Sequence, residues 1–129
     1  MPGLTLSILP VPLSICRLPA AAPIPAWALT GEFYSITRTN DELSLVCPEA
    51  SVPGDVPAES GWRGLKVEGP LDFTLVGILA GLAGALAQAG ISLFAISTYD
   101  TDTILVKEAR LSEAVKALSA AGYGIIGLK

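Results

Sequence analysis

Asp72, Asp100 and Asp102 bracket a 27-residue stretch, Phe73–Tyr99, that carries no charged side chain. Carboxylates at such places accept hydrogen bonds from cations or cap a helix. Ser97, Thr98 and Tyr99 add hydroxyl groups just before the second acidic pair. Catalysis by these groups needs a base, and the chain has no histidine, which removes His acid–base chemistry and His metal ligation. Ser35, Ser97, Cys16 and Cys47 therefore lack the usual activating partner. Asp100 and Asp102 form the one closely spaced acid pair of interest, in a turn without a base. Gly81-Leu82-Ala83-Gly84 falls inside a helical pattern and lacks the lysine of a phosphate loop. No carboxylate spacing matches a metal site. The chain reads as non-enzymatic, with no cofactor and no metal. Each acid has a plainer role open to it: Asp72 as a helix cap, Asp100 and Asp102 as solvated turn acids, with Tyr99 as a packing residue.

What positions these acids depends on the stretch between them. About 20 apolar residues suffice for a membrane span, and Gly77 with Gly81 supplies a GxxxG spacing. Acids flank both ends, and the nearest cations, Lys66 and Lys107, give no positive-inside asymmetry. Gly90 stops the helical pattern, and ISLFAIST beyond it has β character. A helix over 74–89 reaches only roughly 24 Å, short of the hydrocarbon core. The stretch reads as a helix followed by a buried strand, with no membrane span.

Composition sets the remaining bounds. With 129 residues, 51% hydrophobic and 16% charged, there is apolar material for a core and too much of it for a disordered segment. A net charge of −4 without a basic cluster argues against nucleic acid and anionic membrane surfaces. Cys16 and Cys47 lack CxxC spacing and read as reduced, buried small hydrophobes of a cytoplasmic protein. MPGLTLSILP has no basic n-region, and Pro10 and Pro12 interrupt its apolar run, against a signal peptide.

From residue 65 the pattern alternates. Leu65–Glu68 reads as a strand and Gly69-Pro70 as a turn. On the helix over 74–89, Leu75, Ile78, Leu79, Leu82 and Leu86 form one large apolar face, with Gly77, Gly81, Gly84 and Ala87 opposite. An exposed glycine costs about 1 kcal/mol relative to alanine in a helix, so the small face is expected to pack, favouring self-association. Ile91–Ser97 and Thr103–Val106 read as a strand pair around Tyr99–Asp102. A helix over Leu111–Ala121, capped near Ser112, and a strand over Gly124–Leu128 close the unit. The order β-α-β-β-α-β predicts a ferredoxin-like α+β fold with a four-stranded antiparallel sheet and both helices on one face. The first half reads as strands over Leu4–Leu9 and Leu13–Arg17, a Pro-broken segment Ala20–Ala28, a hairpin of Phe33–Arg38 with Leu43–Cys47, and a connector Pro48–Gly61. Arg38 is expected to pair with Asp41 and Glu42 at the surface, Trp62 to cover the core, and Trp27 to pack within the Pro-rich segment.

The run LKVEGPLDFTLVGILAGLAGALAQAGISLFAIST, the YDTDTILV hairpin and the upstream EFYSITRTNDELSLVCPE resemble the ACT domain family. They are similar to the small two-module proteins related to aspartokinase regulatory regions and cytosolic arginine sensors. The resemblance implies a degenerate, mostly β ACT-like module over 1–60 and an ACT domain over 61–129. It also implies side-by-side pairing of modules in a homo-oligomer, with a small-molecule ligand, an amino acid, held between them. Free N–H groups at Phe73, Thr74, Leu75 and Val76 would then receive an α-carboxylate. Asp72 and Asp102 would meet ammonium or cationic groups, Asp102 above all. Ser97, Thr98 and Tyr99 would supply strand-end groups, and Ser35 and Ile36 a facing wall. The other reading left by the sequence is a structural module that binds no ligand and only dimerises or docks on a partner.

Overall fold

The computed structural model describes residues 3–69, 71 and 76–127. The chain divides into two units, Met1–Pro10 with Arg63–Lys129, and Val11–Trp62. The boundary therefore does not follow the expected split at residue 60, because the first strand belongs with the C-terminal unit.

In that unit, β1 (Thr5–Ile8) runs antiparallel to the end of β5 (Ala58–Val67), with Leu6 opposite Val67. On its other side β1 runs parallel to β8 (Gly124–Ile126), with Leu6 opposite Ile125. β7 (Asp102–Lys107) joins the far edge of β5, and β6 (Phe94–Ser97) pairs antiparallel with β7. The expected four-stranded sheet is thus five-stranded, in the order β6-β7-β5-β1-β8. A strand from the chain start occupies the slot between β5 and β8, which no local pattern in residues 61–129 could announce.

Two helices cover one face. Helix α1 (Ile78–Gln88) buries Ile78, Leu82 and Leu86, and α2 (Leu111–Ala120) buries Ala114, Val115 and Leu118. These meet Leu6, Ile8, Leu65, Val67, Ile104 and Val106 from the sheet in one core. Each such aliphatic side chain contributes about 1.5–3 kcal/mol on burial. Both helices end in the same way. Gly90 takes φ +72°, while its N–H donates to Ala87 O and that of Ile91 to Leu86 O. Gly122 and Tyr123 repeat the arrangement on Ser119 and Leu118. This is the left-handed stop that glycine favours. The sequence reading placed both stops correctly.

Several boundaries differ. α1 begins at Ile78, so Val76 and Gly77 precede the helix and do not belong to it. α2 has Arg110 at its N-cap, without a side-chain cap from Ser112. Arg110 instead reaches back to the carbonyls of Ala89 and Gly90 at 3.4 Å, where a cation meets the negative end of α1. β5 starts within the expected connector, and β6 starts later than expected, at Phe94. No helix among the described residues is long and apolar enough to cross a membrane.

The other unit is an antiparallel sheet of β3 (Ser35–Arg38), β4 (Leu43–Pro48), β2 (Leu13–Leu18) and the first half of β5. Its Pro-rich segment forms only a short 3-10 turn, Ala26–Ala28, because prolines remove donors and break a helical ladder. Trp27 packs against the core of Cys16, Ala28, Leu43 and Leu45. Arg38 does not pair with Asp41 or Glu42 through its guanidinium. It donates to the carbonyls of Ala20 and Ala22, pinning the Pro-rich segment to β3. Cys16 and Cys47 are free and buried. On β2 and β4 they share one face, since Cys16 pairs with Leu45 and Ser14 with Cys47.

Candidate functional site

The hairpin of β6 and β7 turns through Thr98–Thr101. The Thr98 N–H donates to Thr101 O at 2.8 Å, and the Thr98 hydroxyl donates to the same oxygen at 3.0 Å. Threonine favours such turns because its short side chain bonds nearby backbone. On the other side, Gly77 adopts φ +83° as the N-cap of α1, a left-handed conformation available to glycine at little cost. The N–H of Gly81 reaches Gly77 O at 2.8 Å, so the N–H groups of Ile78, Leu79 and Ala80 are those of the first turn, without intrahelical acceptors.

Between these elements lies an open cleft of about 330 Å³ lined by Leu71, Gly77–Ala80 and Ser97–Asp102. One wall offers the positive end of a helix. The other offers two carboxylates, Asp100 and Asp102, and among the described residues no Lys or Arg lines the space. Such a cleft can take an anionic group at the helix and a cationic one at the turn.

Of the residues expected at a site, Ser97, Thr98, Tyr99 and Asp102 come together in this cleft. Tyr99 stands at its rim, 79% exposed. Asp72, Phe73, Thr74 and Leu75 lie outside the described residues. Val76 is 82% exposed and does not line the cleft. Among the described residues, the helix-start N–H groups beside the cleft are those of Ile78–Ala80, because α1 begins after Gly77. Ser35 and Ile36 open β3 in the other unit, opposite Val46 and Leu45, and are not part of the lining. The sequence reading missed Leu71, Gly77 and Ile78–Ala80 as wall. Gly77, a glycine just ahead of a periodic apolar run, was the available signal.

A family model for the ACT domain matches residues 58–120, and a second, for an N-terminal domain, matches residues 13–55. Residues 58–120 of the chain thus belong to the ACT domain family. The chain is similar over almost its whole length to a protein of Agrobacterium tumefaciens solved by X-ray crystallography. The two are 40% identical with a TM-score of 0.92, covering 98% of this chain and 94% of that one. It is also 38% identical over 101 residues to the human cytosolic arginine sensor for mTORC1 subunit 1, covering 72% of this chain and 31% of the relative. The chain thus spans about a third of the length of that curated relative. Aspartate kinase of Clostridium acetobutylicum shares the fold at 12% identity and a TM-score of 0.69, over 95% of this chain and 36% of that one.

Proposed function

We propose that this chain is a regulatory module that binds an amino acid with a cationic side chain in the cleft between α1 and the β6–β7 turn. The observation that carries the reading is the pairing of helix-start N–H donors with Asp100 and Asp102 in a space that no basic side chain among the described residues lines. The α-carboxylate would sit at Ile78–Ala80, where backbone N–H groups and the helix dipole favour negative charge. Asp102 would accept from the cationic end of the ligand, for which a guanidinium offers a planar fork. A relative named for arginine sensing supports this choice of ligand, and its name supports a place in the cytoplasm. Asp72, five residues ahead of Gly77 in the sequence, remains a candidate. Ser35 and Ile36 remain candidates for a facing wall supplied by a paired module in a homo-oligomer. The role is one of binding and signalling, without catalysis.

A second reading has its own observation. Ala80, Gly84 and Ala87 of α1 are exposed, so the small face is open to a protein partner. Thermal shift with each of the twenty amino acids separates the two. Ligand at 100 times its Kd stabilises by about 2.7 kcal/mol, so arginine or lysine should raise Tm by several degrees. A flat profile across all twenty would overturn the ligand reading.

A further inference from the structure

Thr101 lines the cleft yet turns its hydroxyl away from it. The residue is 8% exposed, and its Oγ1 donates to Val67 O, at the end of β5, at 2.7 Å. One position earlier, Asp100 O accepts from the Leu71 N–H at 2.7 Å. The turn that carries Asp100 and Asp102 is therefore fastened twice to the segment leading from β5 toward α1. Gly69 lets these strands of chain approach. A Cβ there would lie 3.0 Å from Leu71 N, 3.3 Å from Asp100 O and 3.4 Å from Thr101 Cβ, against both members of one of the two bonds.

We infer that Thr101 is a positioning residue for the ligand cleft, holding the acidic turn at its distance from the helix start, with Gly69 providing the close approach this clasp needs. The inference rests on the proposed ligand cleft. A buried hydroxyl spent on a carbonyl stabilises the turn chiefly because its loss leaves that carbonyl unpaired. Two short bonds side by side leave the turn little freedom, so the carboxylate of Asp102 is held in place before a ligand arrives, which lowers the ordering cost of binding.

The test compares Thr101→Val, of the same shape without the hydroxyl, with Thr101→Ser, which keeps it. Amide hydrogen exchange on the unliganded protein reads the clasp directly. In Thr101→Val the amides of Leu71 and Thr98 should exchange about tenfold faster, while the Leu9 amide, bonded to Gly64 O at 2.8 Å, keeps its protection. Calorimetric titration with arginine should show about tenfold weaker binding in Thr101→Val, restored in Thr101→Ser. Unchanged exchange at Leu71 and Thr98, or uniform loss of protection reaching Leu9, would overturn the positioning role. Arginine failing to bind the wild-type protein would count against the proposed ligand, and the exchange comparison would still decide the clasp. Should Thr101→Val not fold, Gly69→Ala takes its place with the same local increase in exchange expected.

Discussion

Leu6 and Ile125, near opposite ends of the chain, stand in register on the parallel strands β1 and β8. Leu6 is fully buried among the core residues beneath both helices. β1 also pairs with β5, so it supplies both ladders that join β8 to the sheet. A chain beginning at residue 11, or one beginning at residue 61, should lack cooperative unfolding by calorimetry. Leu6→Ala should cost about 2–5 kcal/mol, the range for deleting a fully buried leucine. A residue 61–129 fragment that unfolds cooperatively would contradict the intercalated strand.

Asp102 faces the cleft at the first position of β7, paired with Ser97. In Asp102→Asn the shape persists and the charge is lost. Removing a charged hydrogen bond weakens binding by about 10- to 100-fold, so arginine titration should show that loss with Tm nearly unchanged. Raising the salt concentration should weaken wild-type binding more than that of the variant. Equal affinities would remove Asp102 from the site.

Gly84 sits in the middle of α1 with open space around the position of a Cβ. If the small face is bare in solution, Gly84→Ala should stabilise by about 1 kcal/mol through helix propensity. Chemical denaturation measures this. If pairing covers the face, the added methyl should instead weaken association in sedimentation. The sign of the change therefore decides whether α1 serves as a docking surface.

The Cys47 thiol is fully buried, and burial, with a smaller effect from neighbouring Cys16, pushes its pKa from 9.0 up to about 11. A group whose pKa is raised on folding favours the folded state below its unfolded value. That contribution is lost as pH rises through the folded value. Burial also raises Cys16 and Tyr123, so they act in the same direction. Stability should fall between pH 9 and 11, with Cys47 accounting for up to about 3 kcal/mol. Urea unfolding across this range should show a shallower fall in Cys47→Ala. Identical slopes would show that this thiol is not the source.

The sequence by itself determined the local grammar. The spacing of Ile78, Leu82 and Leu86 fixed a helix face, Gly90 and Gly122 fixed the stops, and the β character of the run from Ile91 announced a strand, though not its start at Phe94. Periodicity and glycine chemistry act over a few residues, so they are readable from a single chain. The acids at the ends of the charge-free stretch were visible for the same reason, and Asp102 with Ser97–Tyr99 did gather at one cleft. Tertiary structure alone decided which strands share a sheet. β1 reached its place between β5 and β8 through backbone hydrogen bonds and burial of Leu6, interactions that carry no signature in sequence spacing. The same holds for the Arg38 contacts with the Pro-rich segment and for the clasp of Thr101 on Val67. Each joins groups distant in the chain, and backbone carbonyls look alike at every position until folding brings one of them within reach.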